Sequence, residues 1–236
     1  MKKVYSIMIF LLIVSIWAFN EEKYITYPIK IAFILIFGLS WLLRMKSKIN
    51  YYQAWCLIMI IFSGLAMLVA EDSSVALHTF INVFQVFLIA FTGVAYIDDN
   101  EKIDFLIVCI IIGGCILGVR LLMTTPLSAW LSFERLGKGI GYNSNDVGNK
   151  AAISAILSIA FMKEKEGKQR KLLLVCFCLM LVLVLFSGSR KSLIAVVVAV
   201  FLLYTIGLKK KRNIIFAIIG IAALFAVLYY FMISHE

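Results

Sequence analysis

Residues 163–212 read KEKEGKQRKLLLVCFCLMLVLVLFSGSRKSLIAVVVAVFLLYTIGLKKKR. One cationic tract (163–171) opens the stretch and another (209–212) closes it. Between them two apolar runs flank the short polar string Ser187-Gly188-Ser189-Arg190-Lys191-Ser192. Each run is close to the roughly 20 residues a helix needs to cross a hydrocarbon core. Neither alternates strictly between polar and apolar, as a strand of a closed barrel would. In hydrocarbon every backbone amide must be satisfied within the chain, and an α-helix does so along its own length. The stretch therefore predicts a helical hairpin whose ends share one side of a membrane and whose turn lies on the other.

The rest of the chain repeats this pattern. Of its 236 residues 63% are hydrophobic and only 15% charged, with two prolines and a mean hydropathy of +1.01. A soluble domain is nearer half apolar and a quarter charged, and a core of this size could not hide so much apolar surface. Disorder is excluded on the same grounds. The fold class expected is an all-α, polytopic integral membrane protein. Nine helices are predicted, at 4–20, 24–43, 51–70, 75–97, 103–122, 145–162, 172–187, 191–208 and 213–232. They form one membrane domain over 1–236, with a five-helix N-terminal part (1–122) and a second part (123–236).

Basic residues set the orientation. With the N-terminus inside, 15 of the 23 Lys and Arg fall in cytoplasmic tracts, the last being Lys209-Lys210-Lys211-Arg212, as the positive-inside rule requires. Lys30 and Lys150 lie within predicted spans near their outer ends, where a long side chain can snorkel to water. The net charge of +10 then belongs to membrane anchoring, and no nucleic-acid partner is expected. Lys2 and Lys3 precede an apolar run, but Trp17-Ala18-Phe19-Asn20 is no small-residue cleavage site, so the run reads as an uncleaved first helix.

The five cysteines (Cys56, Cys109, Cys115, Cys176, Cys178) sit in apolar runs without metal or disulfide spacing and read as small core residues. His78 reads as an interhelical donor within the fourth helix. No Gly-rich nucleotide loop or zinc motif occurs, so neither a cofactor nor a metal is expected.

Chemistry concentrates between 120 and 192. Arg190 and Lys191 stand at the outer turn of the hairpin, where the free amides of the next helix also point, and a guanidinium matches phosphate geometry. Gly188 lets the backbone approach closely. Upstream, Arg135, Gly137 and Lys138 precede Gly141-Tyr142-Asn143-Ser144-Asn145-Asp146. Asn145 or Ser144 is expected to cap the sixth helix, and Asn side chains suit sugar hydroxyls. Arg120, Arg135, Lys138 and Lys150 gather on the same side. Glu134 and Asp146 are the nearest outer carboxylates, with no positional argument for either as a base.

In this order of elements the chain resembles the bacterial O-antigen ligase and polymerase family. The residues carrying the resemblance are Arg135 and Gly137, Gly141-Tyr142-Asn143-Ser144-Asn145, the 163–171 loop, and Ser187-Gly188-Ser189-Arg190; Ser144 stands where a Pro is usual. The resemblance covers about 130–208 and implies a membrane glycosyltransferase of surface polysaccharide assembly. Such an enzyme transfers or polymerises undecaprenyl-pyrophosphate-linked glycan outside the bacterial cytoplasmic membrane, beside other assembly proteins. It would hold the lipid pyrophosphate with Arg190, Lys191 and Arg135, and meet the loop or the sugar with Asn143 and Asn145. Ser187 and Ser189 would shape the turn, and no catalytic base is assigned. Family members carry a large outward loop and further spans after a helix such as 213–232. The resemblance therefore implies that the second part is incomplete at Glu236, as a truncated polymerase or a shorter relative. Two other readings stay open: a transporter or flippase for lipid-linked saccharide, and a scaffold or inactive fragment. Polar residues crowded at the outer helix ends argue for surface chemistry over passage.

Overall fold

The computed structural model describes residues 2–43, 49–94, 96–97, 99–131 and 141–205, and every described element is helical. Among the described residues nine helices follow in order: α1 (Lys2–Ala18), α2 (Lys23–Leu43), α3 (Tyr51–Leu68), α4 (Ser73–Val94), α5 (Asn100–Thr124), α6 (Leu127–Leu131), α7 (Ser144–Met162), α8 (Gly167–Phe186) and α9 (Arg190–Thr205). Helices α1 to α5 and α7 to α9 correspond to the first eight predicted from sequence. The short α6 is additional, and the expected ninth, 213–232, lies outside the described residues. So do Arg135, Gly137, Lys138, Glu134 and the Lys209–Arg212 tract. Among the described residues, five helices are long and apolar enough to cross a membrane by length and composition: α2, α3, α4, α5 and α8. Their flanks expose large apolar side chains such as Ile31, Leu35, Ile61, Phe62 and Val175. That much contiguous apolar surface is the mark of a lipid-facing helix.

The described residues form two compact units, one up to Gly113 and one from Gly114 onward. In the first, α1 packs on α2, α2 on α4 and α3 on α4. Its core joins Tyr5, Ile9, Leu12 and Ile13 of α1 to Phe33 and Phe37 of α2 and Cys109 of α5. Aromatic rings dominate it: Phe33 stacks on Phe37 at 4.2 Å, and Tyr5 meets Phe37 edge-on at 5.0 Å, geometries that aromatic quadrupoles favour. The Tyr5 hydroxyl, buried with its ring, donates to Ser40 Oγ at 2.7 Å. Helix α3 starts in a reciprocal cap, in which Asn50 Oδ1 accepts from Gln53 N–H and Gln53 Oε1 accepts from Asn50 N–H. That arrangement satisfies two amides the helix cannot. The same Gln53 donates through Nε2 to the Phe91 carbonyl of α4 at 3.1 Å. Asparagine and glutamine thus tie α3 to its cap and to its neighbour, which the apolar pattern alone did not reveal.

In the second unit α7 packs against α8 and α9. Its inward face is built from small residues, with Gly148, Ala151, Ala152, Ser154, Ala155 and Ser158 all buried. Small side chains let helix backbones come close, which replaces the hydrophobic drive that lipid cannot supply. A Cβ placed on Gly114 of α5 would come within 2.7 Å of Ser154 Cβ and 3.0 Å of Met180 Sδ, so α5, α7 and α8 meet there without slack. At the far end of α7, Lys163 Nζ donates to the Leu203 carbonyl of α9.

Candidate functional site

Because α7 and α9 run side by side, the start of α7 and the α8–α9 turn share one end of the second unit. Asn143 caps α7. Its side chain accepts from Asn145 N–H at 2.9 Å, and its carbonyl accepts from the amides of Asp146 and Val147. The expectation of Asn145 or Ser144 as the cap is therefore corrected by one or two residues: both lie inside the first turn of the helix. Asn143 has extended backbone angles (φ −69°, ψ 129°), the geometry a cap needs. Asn145 is exposed, and Ser144 half-buried.

Tyr142, immediately before the cap, is 3% exposed. Lys150 Nζ lies 4.7 Å from the centre of its ring and the Arg120 guanidinium 5.9 Å. The ring face carries negative potential and attracts both cations. Lys150 also pairs with Asp146 one turn earlier, Nζ to Oδ2 at 2.7 Å. Lys150 is only 8% exposed, so the sequence expectation that it snorkels is replaced by a buried, paired lysine. Burial of a charge is tolerable when a carboxylate and an aromatic face compensate the lost water. Asp146 in the first turn of α7 also suits the positive end of the helix dipole.

The turn between α8 and α9 is tightly specified. Gly188 takes φ +63°, a left-handed conformation that closes a helix end cheaply only for glycine. Ser187 Oγ donates to the Val184 carbonyl at 2.7 Å and accepts from Ser189 N–H at 3.2 Å. Ser189 Oγ and Ser192 Oγ share a hydrogen bond of 2.8 Å, and Ser192 Oγ donates to Asn149 Oδ1 of α7, also at 2.8 Å. All three serines are buried. They fit because residue 148 has no side chain: a Cβ there would stand 2.6 Å from both Ser187 Oγ and Ser189 Cβ, and 2.9 Å from Ser192 Oγ. Ser187 and Ser189 therefore face the packing seam, and their hydroxyls are engaged within the protein. Gly148 and Asn149, not singled out from sequence, complete the seam.

Arg190 and Lys191 are exposed in the first turn of α9. Cations at a helix N-terminus oppose the dipole by roughly 0.3–1 kcal/mol each. Among the described residues, they and Arg120 and Lys150 put four cations and one carboxylate, Asp146, around one end of the unit. Two helix N-termini, those of α7 and α9, lie at the same end, each with the positive pole of its dipole. An arrangement that raises its own electrostatic energy in this way is suited to a bound anion. Among the described residues, no three His, Cys, Asp or Glu side chains gather as a metal site would need.

The first unit holds polar groups of another kind. Asn82 and Gln85 lie near the middle of the 22-residue α4 and line a cavity with Lys30 of α2. The expectation that polar residues crowd at helix ends thus fails for α4. His78, read from sequence as an interhelical donor, is exposed on the same helix. Cys56 and Cys109 are buried as expected, whereas Cys178 is exposed; all five thiols are free. No family model, curated protein or solved structure matches the chain.

Proposed function

We propose that the protein is a membrane glycosyltransferase of surface polysaccharide assembly, acting on glycan linked through pyrophosphate to a polyprenol. The observation that carries this reading is the gathering of Arg120, Lys150, Arg190 and Lys191 with two helix N-termini at one end of the second unit. In such a reaction an acceptor hydroxyl attacks the anomeric carbon, the bond from that carbon to the pyrophosphate oxygen breaks, and the pyrophosphate departs on its lipid. Charge develops on the leaving oxygen, where fixed guanidinium and ammonium groups and oriented amides lower the barrier without a metal. Arg190 and Lys191 are the accessible pair and hold the pyrophosphate; Arg135 joins them by the resemblance. Asn143 is committed to its cap, so Asn145, exposed beside it, is the better sugar contact. Lys150 and Arg120, fixed on Tyr142, hold the rear of the site. The reading carries with it nine spans, an inside N-terminus, an outward-facing site and a bacterial cytoplasmic membrane.

The test is the polymer. Arg190→Ala should cut glycan chain formation by about a hundredfold or more, the usual cost of one preorganised charge-stabilising donor, while the protein still inserts and keeps its helical spectrum. Arg190→Lys should recover part of it, because the charge returns without the fork. A normal ladder from Arg190→Ala would overturn the reading. The transporter alternative draws on one observation, the mid-helix Asn82 and Gln85, since polar groups within spans mark passage in transporters. It predicts instead that substitutions at Asn82 abolish function while those at Arg190 do not.

A further inference from the structure

A cavity of about 510 Å³ opens in the first unit, within the size range of small-molecule sites. The end of α1 and the α1–α2 turn contribute Ile16, Asn20 and Glu21. On α2, Lys23, Tyr27 and Lys30 follow at i, i+4 and i+7 and so share one face. On α4, Asn82, Gln85 and Ile89 follow at i, i+3 and i+7 with Val86 beside them, a second single face. A cationic stripe and an amide stripe on different helices therefore line one space, and both are unusual in apolar spans.

Lys30 is half-buried, with its Nζ 5.7 Å from the Tyr27 ring centre. It lies ~10 Å along α2 from Lys23 at the helical rise per residue. An ionisable group within a span marks a ligand site by default. The two lysines outweigh the lone carboxylate of Glu21, so the cavity favours an anion. Amides of Asn82 and Gln85 can donate to phosphate or glycerol oxygens. Ile16, Val86 and Ile89 offer apolar wall to whatever the anion is attached to.

We propose that this cavity binds the head group of a lipid carrying a phosphate ester, with the phosphate at Lys30 and Lys23 and the head-group oxygens at Asn82 and Gln85. The site is separate from the cation cluster of the second unit, and its test reads lipid affinity, not polymer, so either proposal can fail alone. The full chain, purified in detergent, is titrated with phosphatidylglycerol, with diacylglycerol of the same acyl chains, and with inorganic phosphate, and adducts are counted by native mass spectrometry. Phosphatidylglycerol should bind and diacylglycerol should not, and inorganic phosphate should fail to displace the lipid. Lys30→Gln should weaken phosphatidylglycerol binding about tenfold, as expected when one charge-assisted bond is lost. Glu21→Gln should tighten it a few-fold by removing a like charge, a gain that merely damaged packing does not produce. Should Lys30→Gln fail to fold, Gln85→Leu and Glu21→Gln carry the test. Equal affinity of wild type and the Lys30 variant, or of diacylglycerol and phosphatidylglycerol, would overturn the proposal. So would displacement of the lipid by inorganic phosphate, which would leave a free-anion site.

Discussion

The two units hold themselves together differently. Rings meet rings in the first: Tyr5, Phe33 and Phe37 pack with centroids 4.2 and 5.0 Å apart, and their contact surfaces are broad and forgiving. Hydroxyls and a missing side chain hold the seam between α7 and α9, where Gly148 admits Ser187, Ser189 and Ser192. Between helices set in lipid the usual free energy of hiding apolar surface is small, because lipid tails are as apolar as the side chains. What remains is fit. Large rings can slide against lipid-like neighbours at small cost, whereas a hydrogen-bonded chain through Ser189, Ser192 and Asn149 works at one spacing only. The exact seam is the one that carries Arg190 and Lys191 at its end, and the proposed reaction would need fixed positions there.

This contrast can be broken by substitution. The largest effect is expected at Gly148→Val. Its branched side chain would enter space already held by Ser187 Oγ and Ser189 Cβ at 2.6 Å, and overpacking of this kind costs about 1–3 kcal/mol. Loss of helical signal during titration with a denaturing detergent should come at a clearly lower denaturant fraction than in wild type, and polymer formation should fall with it. A Gly148→Val protein as stable as wild type would show that α7 and α9 are not seated as described.

A smaller effect belongs to Ser192→Ala, which cuts the bond to Asn149 and frees Ser189 Oγ. Interhelical hydrogen bonds in membranes average ~0.6 kcal/mol and reach ~1.7, so about 1 kcal/mol is expected in the same titration. Smallest of all should be Phe37→Leu in the first unit. A soluble core would lose the transfer free energy of the removed atoms; in lipid only ring packing is lost, and the change should stay below the about 1 kcal/mol expected for Ser192→Ala. If Phe37→Leu costs more than Gly148→Val, the ranking of the two seams is reversed and the first unit is the rigid one.

How much of this could be read from the residues follows the same division. Apolar runs of bilayer length placed α2, α3, α4, α5 and α8 within a few residues, since the length of a span is a local property of the chain. The turn at Gly188 was legible too, because a glycine between two runs, beside serine and arginine, has few other uses. Gly148 was not legible. Its neighbour in space is 39 to 44 residues away in sequence, and nothing around Asn145-Asp146-Val147-Gly148 announces a partner. The cap fell on Asn143 and not on Ser144 or Asn145 because three consecutive residues are competent to cap, and residue type alone does not choose among them. The burial of Lys150 is hidden for a related reason: Asp146 lies one turn back in the sequence, but the Tyr142 ring face that holds the ammonium is eight residues away and carries no mark of its role.

The small-residue face of α7 also sets how the gene can drift. Most positions on a lipid-facing helix accept any apolar residue, so leucine, isoleucine, valine and phenylalanine interchange freely there. Position 148 accepts none of them, and the buried positions 151, 152 and 155 hold only alanine. Chance substitutions would therefore scatter over the outer flanks of the molecule and be cleared from a strip one side chain wide along α7. That strip would stand out in a record of tolerated changes even to an observer who had never seen the fold.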